Sequence, residues 1–220
     1  AMIGNDVQML GALPAGTVEF ALVGAPTLVG LVKEFGVLDL PYQFNSPAEV
    51  DAMLDGPMGQ QLLAKLEEKG LVGLGFWEIG FRDLTNSKRP IEKWEDLKGL
   101  KIRTVQSPIF RTFFEHLGAN AQPMPINEVF GALEMHAIDG QENPISLIAT
   151  QRFNEVQKYL TLSEHIYTSY VLLMSKKTWD SLDDAQRAQV RQAAEQARGE
   201  QRAIARKANQ DKLAELKDAG

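Results

Sequence analysis

Residues 100–144 decide the fold of this chain, beginning with Leu100-Lys101-Ile102-Arg103 and ending with Asp139-Gly140-Gln141-Glu142-Asn143-Pro144. A short β-branched run carries Arg103, after which Ser107-Pro108 opens an apolar segment that Gly118 closes. Serine and proline mark the start of a helix and glycine marks its end. The sequence therefore predicts a strand, a turn and a helix, in the order of an α/β unit.

Arg103 stands directly before this predicted helix, at a position that suits an anion. Free N–H groups and the helix dipole favour negative charge there, and a guanidinium holds a carboxylate through two parallel hydrogen bonds. A surface arginine at a strand end is the alternative with the same spacing. Residues 138–144 then form a polar segment, predicted here as a turn, in which amide side chains are available to a pocket. The two segments together point to a carboxylate-binding site.

Length and composition exclude several classes of protein. With 220 residues and 44% apolar content, the chain can form one large domain or two small ones. The net charge of −6 and the lack of a basic cluster beyond Lys88-Arg89 argue against a nucleic-acid partner. The chain has no cysteine and three scattered histidines, so we expect no disulfide, no thiol nucleophile, no metal and no cofactor. Residues 18–32, the longest apolar stretch, are too short and broken to span a membrane.

Periodicity and helix-end signals predict the remaining elements. The predicted elements are the end of a helix over 5–13, a strand over 18–23, a helix over 27–35, a strand over 36–41, helices after Ser46-Pro47 and Gly56-Pro57, a twelve-residue strand over 71–82, an amphipathic helix with Val129, Ala132, Leu133 and Met135 inside, strand-rich sequence over 159–175, and a long alanine-rich helix from Asp183. Of the histidines, His165 is predicted to be a structural hydrogen-bonding residue.

Several ordered blocks resemble the core of the substrate-binding proteins of tripartite ATP-independent periplasmic (TRAP) transporters, the DctP-like receptors. The blocks are Trp94 to Arg103, Leu117 to Asn120, Pro123 to Pro125, Glu128 to Phe130 and Asp139 to Pro144. The likeness extends from Ala15-Gly16-Thr17 through 35–41 to 158–162, almost the whole chain. A run of so many ordered blocks is more specific than any single motif.

This resemblance implies an α/β fold of the two-lobed periplasmic-binding-protein (clamshell) type, with hinge strands and a long C-terminal strut helix. Lobe I would comprise 1–79 and 169–208 and lobe II 80–168 and 209–220, with hinge strands near 77–82 and 165–173. The resemblance also implies that a signal peptide and a first strand–helix unit precede Ala1 and that closing segments follow Gly220.

The resemblance carries site residues over one by one. Arg103 matches the family's principal binding arginine, and Asn143 and Arg82 match a binding asparagine and a second arginine. Gln106 occupies an amide position after the strand arginine, and Tyr170 lies where the returning strand contributes. Ile126 departs from many members, which place an aromatic residue there, so the stacking wall of the pocket differs.

The implied function is a periplasmic receptor that captures a small organic acid and delivers it to TRAP permease subunits in the membrane. A sugar acid such as a uronate or aldonate is the favoured ligand, because the 77–82 segment is similar to members that take sugar acids, and a C4-dicarboxylate or another carboxylate is the alternative. The receptor is expected to be a monomer and not an enzyme.

Two remoter alternatives stay open at this point. The first is an acid–base enzyme that uses Glu142 with Asp139 or Glu78, for which the sequence offers no nucleophile, phosphate loop or metal cluster. The second is the ligand-sensing domain of a regulator, which would need an attached DNA-binding or membrane segment.

Overall fold

A computed structural model describes residues 4–218 of the chain, which divide into two compact units. The first unit comprises residues up to 38, 44–79 and 168–204, and the second comprises 39–43, 80–167 and those from 205 onward. The predicted truncations at Ala1 and Gly220 concern chain ends outside the described residues. Three elements run from one unit into the other, namely the strands over 71–81 and 167–175 and the C-terminal helix.

The first unit contains a three-stranded sheet in the order β1-β8-β2, with β1 and β8 antiparallel. Its elements are α1 (Asp6–Ala15), β1 (Phe20–Gly24), α2 (Ala25–Leu28), a 3-10 helix (Lys33–Asp39), α3 (Pro47–Asp55), α4 (Pro57–Lys65), a 3-10 helix (Glu67–Lys69), most of β2 (Leu71–Phe81) and β8 (Tyr167–Ser175), α8 (Lys176–Ser181) and the first part of α9 (Asp184–Asp218).

Local sequence explains where the helices of the first unit begin and how two of them pack. The Ser46 side chain accepts a hydrogen bond from the Glu49 N–H and caps α3, as Ser-Pro predicts. Helix α4 crosses α3 so closely that a Cβ at Gly59 would lie 1.9 Å from the Leu54 carbonyl oxygen. Only glycine permits that approach.

The second unit contains a five-stranded mixed sheet in the order β5-β4-β6-β3-β7. Its elements are β3 (Asp83–Asn86), a 3-10 helix (Trp94–Leu97), β4 (Lys101–Thr104), α5 (Pro108–His116), β5 (Asn120–Pro123), α6 (Ile126–Glu134), β6 (Gly140–Asn143), α7 (Ile145–Thr150), a 3-10 helix (Phe153–Glu155), β7 (Tyr159–Thr161) and the end of α9. Strand β4 is parallel to β5 and β6, and β3 is antiparallel to β6 and β7.

Two apolar clusters make the core of the second unit. One gathers around Ile102, Phe114 and Leu84, and the other around Val129 and Phe153. The strand–turn–helix predicted from Leu100 to Gly118 is present as β4 and α5, which contribute Ile102 and Phe114 to the first cluster. The β-α-β arrangement of β4, α5 and β5 holds the carboxyl end of β4 in a fixed position.

The α/β class and the long C-terminal helix are confirmed, since α9 runs without a break for 35 residues. Several predicted elements are wrong. The predicted helix over 27–35 is the four-residue α2 followed by the start of a 3-10 helix, and the predicted strand over 36–41 is replaced by that 3-10 helix. The sequence predicted the end of a helix over 5–13, but the capping box at Asn5 shows that α1 begins at Asp6. Met135, predicted on the inner side of an amphipathic helix, is exposed beyond the end of α6. Among residues 4–218, no helix is both long and apolar enough to cross a membrane.

Candidate functional site

The predicted polar turn over 138–144 is instead the central strand of the five-stranded sheet. Strand β6 is buried along its whole length and pairs with β4 on one side and β3 on the other. A turn was predicted because the segment is polar and contains glycine, asparagine and proline, but here Gly140 allows the neighbouring strands to pack closely. A Cβ at Gly140 would lie 2.3 Å from the Thr85 carbonyl oxygen. The amide side chains are therefore held on a rigid strand.

Arg103 lies near the carboxyl end of β4 and is only 3% exposed. Its Nε and Nη2 both donate to the Met124 carbonyl oxygen, at 3.0 Å and 2.6 Å. In the sheet register Arg103 stands opposite Gln141 of β6 and Gln122 of β5. A guanidinium tethered along one edge to a neutral oxygen keeps its positive charge and a defined orientation.

Arg82 forms a buried ion pair with Glu142, the neighbour of Asn143 on β6. Its Nε contacts one Glu142 carboxylate oxygen, and its Nη2 donates to the other at 2.9 Å and to the Glu142 carbonyl oxygen at 2.6 Å. The Arg82 guanidinium also lies 5.2 Å from the ring centre of Phe110. The sheet thus brings Arg82 together with a carboxylate that lies 60 residues away along the chain.

His165 completes this buried group, with its Nε2 3.5 Å from a Glu142 carboxylate oxygen and its Nδ1 2.8 Å from the Ser163 hydroxyl oxygen. At 3.5 Å the contact with Glu142 is electrostatic rather than a full hydrogen bond. A carboxylate only accepts, so Nε2 carries the hydrogen and Nδ1 accepts from Ser163. The prediction that His165 is a structural hydrogen-bonding residue agrees with this geometry.

The charges of this group follow from burial and from its partners. Burial has the largest effect on the Glu142 pKa and raises it, but Arg82 and His165 together outweigh burial and leave the pKa below its ordinary value. Burial lowers the His165 pKa and outweighs the attraction of Glu142. Near neutral pH, Glu142 is therefore ionised and His165 is neutral, so Glu142 supplies a carboxylate that compensates the Arg82 charge.

Asn143 is 2% exposed and is held from both sides by neighbouring side chains. Its Oδ1 accepts from Arg82 Nη2 at 3.0 Å, and its Nδ2 donates to Gln141 Oε1 at 2.6 Å. Arg103 lies on β4, and Asn143 lies on the adjoining strand β6. Arg82 directly precedes β3, the next strand in the sheet. The sheet of the second unit brings these three predicted residues into one neighbourhood.

The other two predicted residues lie elsewhere on the chain. Gln106 is exposed in the connection between β4 and α5. Tyr170 is half-buried on β8 of the first unit, where it pairs with Gly24 of β1. Sequence reasoning missed the structural roles of Glu142 and the Met124 carbonyl, because neither has a local sequence signal as a partner of an arginine.

The start of α5, which the sequence predicted to suit an anion, receives a carboxylate from within the chain. Asp39 is 1% exposed, and its Oδ2 accepts a hydrogen bond from the Ser107 hydroxyl at 2.7 Å. Burial raises the pKa of Asp39 to about 7, while Ser107 and the charge of Arg82 oppose that rise and Glu142 adds to it. The 3-10 helix that replaces the predicted strand over 36–41 ends at Asp39.

We expect Asp39→Asn to stabilise the protein at pH 8 by roughly 2 kcal/mol. A carboxyl whose pKa is raised on folding binds its proton more tightly in the folded state, so stability falls as pH rises from about 4 to about 7. Asparagine removes that dependence and still accepts from Ser107. Urea unfolding between pH 5 and 8 measures the effect, with Asp211→Asn in the exposed Lys207 pair as the control. An unchanged pH slope in Asp39→Asn would contradict this account.

A cavity of about 660 Å³ in the second unit lies apart from the predicted residues. Thr85, Gln157, Tyr159 and Leu213 are among its lining side chains, whereas none of the five predicted binding residues lines it. Its size suits a small ligand, but the buried arginines that would recognise an acid are not in its wall. Among residues 4–218, no three histidine, aspartate or glutamate side chains are grouped in a way that would hold a metal ion.

Comparison with known proteins identifies the family. The model of the DctP family, described as bacterial extracellular solute-binding protein, family 7, matches residues 1–220. The chain belongs to the DctP family. The predicted kinship with DctP-like TRAP receptors is confirmed, since solved structures of TRAP periplasmic solute-binding proteins also match the chain over 99% of its length.

Three relatives of this DctP-family chain illustrate the ligands found in the family. The solved structure of the sugar acid binding protein DctPAm from Advenella mimigardefordensis, in complex with galactonate, is 46% identical with a TM-score of 0.97, covering 99% of this chain and 70% of that chain. The 2,3-diketo-L-gulonate-binding periplasmic protein YiaO of Escherichia coli is 38% identical over 99% of this chain and 66% of its own. The C4-dicarboxylate-binding periplasmic protein DctP of Rhodobacter capsulatus is 36% identical over 98% of this chain and 65% of its own.

The matches cover only part of each relative's own length. The chain spans about two thirds of the length of the two curated relatives named here. The family and the solved structures are those of solute-binding proteins of transport systems.

Proposed function

We propose that this chain is the ligand-binding part of a periplasmic receptor that captures a sugar acid and delivers it to a TRAP permease in the membrane. The receptor binds its ligand without converting it, acts as a monomer and needs no cofactor. The alternative ligand is a C4-dicarboxylate, the ligand class for which the Rhodobacter capsulatus relative is named. The observation that carries the proposal is the buried Arg103 guanidinium, held at the end of β4 by the Met124 carbonyl.

In this proposal Arg103 binds the ligand carboxylate through its planar fork. Charge-assisted hydrogen bonds of this kind contribute about 1.5–3 kcal/mol each where water is excluded. Asn143 supplies an amide N–H to the same ligand end, and Gln106 supplies a second amide. Tyr170 contributes from the returning strand, and Arg82 acts by anchoring Asn143.

The charge balance around Arg82 favours a sugar acid over a dicarboxylate. Glu142 compensates the Arg82 charge inside the unit. A second ligand carboxylate would therefore face a neutral ion pair rather than an unbalanced cation, and its desolvation would be poorly offset. A ligand with one carboxylate and several hydroxyls matches Arg103 together with the amide side chains. The galactonate bound by the relative at 46% identity supports this choice.

We further propose that the two compact units are the two lobes expected of such a receptor. The segments over 77–82 and 165–173 would be the hinge strands, with Gly80 in one and Ser169 in the other. Gly80 has a positive φ of 127°, a backbone conformation that side chains other than glycine's rarely adopt. Ligand binding would shift the population toward the conformation that makes more contacts with it.

The first experiment is a thermal-shift and calorimetric screen of the full-length protein with galactonate, galacturonate and succinate. We expect galactonate or galacturonate to raise the melting temperature and succinate to leave it unchanged. Stabilisation by succinate alone would reassign the ligand to the dicarboxylates. Turnover of a sugar acid during the titration would revive the acid–base enzyme, in which Glu142 would need to act while paired with Arg82.

We expect Arg103→Lys to weaken galactonate binding by at least about tenfold, because lysine keeps the charge but loses the planar fork. Isothermal titration calorimetry measures the change. Arg152→Lys is the matched control, since Arg152 is exposed and pairs only locally with Glu155 in the described contacts. An affinity unchanged in Arg103→Lys would remove Arg103 from the site.

A further inference from the structure

A continuous chain of side-chain hydrogen bonds leads from Asn143 across the sheet of the second unit. Asn143 Nδ2 donates to Gln141 Oε1 at 2.6 Å, and Gln141 Nε2 donates to Thr85 Oγ1 at 2.9 Å. Thr85 Oγ1 donates in turn to Gln157 Oε1 at 2.9 Å. Asn143 and Gln141 are two residues apart on β6 and so face the same side, and Thr85 stands opposite Gln141 on β3.

The donors and acceptors in this chain permit one direction. A guanidinium only donates, so the atom that Asn143 presents to Arg82 must be its carbonyl oxygen. The Asn143 amide nitrogen therefore faces Gln141, which must answer with its own carbonyl oxygen. Gln141 then presents its nitrogen to Thr85, whose hydroxyl accepts that bond and donates onward to Gln157 Oε1. Arg82, anchored by Glu142, thus sets the orientation of the Asn143 and Gln141 amides.

At the far end of this series of hydrogen bonds, the Gln157 amide is oriented in the same direction. Gln157 Nε2 donates to the Val156 carbonyl oxygen at 3.0 Å. Gln141 is fully buried and Thr85 is 2% exposed, so water does not compete for their polar atoms. Turning either amide around would place donor against donor or acceptor against acceptor in a buried environment, which is strongly unfavourable.

We infer that Asn143, Gln141, Thr85 and Gln157, here called the Asn143 relay, fix the Asn143 amide as a hydrogen-bond donor toward the ligand carboxylate. Gln141, Thr85 and Gln157 are then positioning residues that act through Asn143. This inference rests on the proposed function and deepens it, because a locked donor selects an acceptor-only group. An amide nitrogen carries two hydrogens, of which Gln141 accepts one, and the other suits a carboxylate oxygen.

The test is Thr85→Val, which removes the central hydroxyl while keeping the shape of the side chain. We expect galactonate binding to weaken about fivefold, and the side-chain amide hydrogens of Asn143 to exchange faster with solvent in the ligand-free protein. Thr85→Ser restores the hydroxyl and should return both measurements to within about twofold of the unmodified protein. Thr161→Val is the matched control, since the Thr161 hydroxyl on β7 bonds the Ile91 carbonyl at 3.3 Å, outside the relay.

The two measurements separate the relay from the proposed function. Unchanged exchange at Asn143 in Thr85→Val overturns the relay whether or not galactonate binds. Failure of the unmodified protein to bind any acid overturns the proposed function, and the exchange measurement still decides whether Asn143 is locked. Equal weakening in Thr85→Val and Thr161→Val would indicate a general loss of sheet stability and would also overturn the relay. If Thr85→Val does not fold, Gln157→Met breaks the relay at its half-buried end and is expected to speed the same exchange.

Discussion

Arg82→Met is expected to lower the free energy of unfolding by about 3–5 kcal/mol at pH 7, because it leaves Glu142 as an uncompensated charge inside the second unit. Glu142 is fully buried, and Arg82 binds both its carboxylate oxygens and its carbonyl oxygen. Without the arginine, His165 remains to oppose burial, which has the largest effect, and we expect the Glu142 pKa to rise above the ordinary value. Guanidinium chloride unfolding followed by circular dichroism measures the loss.

The slope of the free energy of unfolding against pH should change sign in Arg82→Met. In the unmodified protein the lowered Glu142 pKa contributes stability above the ordinary value of 4.5 that is lost as pH falls through the folded pKa. In Arg82→Met the raised pKa makes stability fall as pH rises instead. The double variant Arg82→Met with Glu142→Gln should recover part of the loss, because no buried charge remains.

Arg111→Met is the control for Arg82→Met, since Arg111 pairs with Glu115 on an exposed helix face and should cost less than about 1 kcal/mol. A loss in Arg82→Met no larger than in this control would show that the Arg82–Glu142 pair does not stabilise the unit. Such a result would also remove the anchor from which the orientation of Asn143 was deduced.

Arg202→Met is expected to destabilise the first unit by about 2–3 kcal/mol, because it removes charge-assisted hydrogen bonds to two half-buried carboxylates, of which Asp55 keeps its contact with Arg198. Arg202 of α9 is 6% exposed and donates to Asp51 at 2.8 Å and to both Asp55 carboxylate oxygens at 2.7 Å and 2.9 Å. It also donates to the Phe76 carbonyl oxygen of β2 at 3.0 Å. One guanidinium thereby connects α9, α3 and β2. Its loss removes the contacts between these three elements and takes from the buried Phe76 carbonyl oxygen the hydrogen bond that Arg202 donates.

Arg202→Lys separates charge from geometry, because a lysine ammonium cannot reproduce the bidentate contact with Asp55. We expect Arg202→Lys to recover less than half of the stability lost in Arg202→Met. Lys207→Met, on an exposed part of the same helix, is the control and should be within about 0.5 kcal/mol of the unmodified protein. Denaturant midpoints equal for Arg202→Met and the control would show that α9 does not depend on this contact.

The sequence by itself determined the elements whose signals are local. Ser46-Pro47 and Ser107-Pro108 start α3 and α5, and Gly118 closes the latter with a positive φ of 82°. The uninterrupted pattern after Asp183 likewise predicted α9. The ordered blocks from Trp94 to Pro144 were enough to predict the family, because so many blocks in the same order are more specific than any single motif.

Only the tertiary structure decided which charges and amides meet. Residues 140–143 are polar enough to suggest a turn, yet they form a buried central strand because β3 pairs with all four of them and β4 pairs with Gly140 and Gln141. The pairing of Arg82 with Glu142, 60 residues along the chain, depends on that placement and has no local signal. Residue types near a strand end reveal that an anion site is possible, whereas the orientation of each donor is set by partners that only the sheet brings within hydrogen-bonding distance.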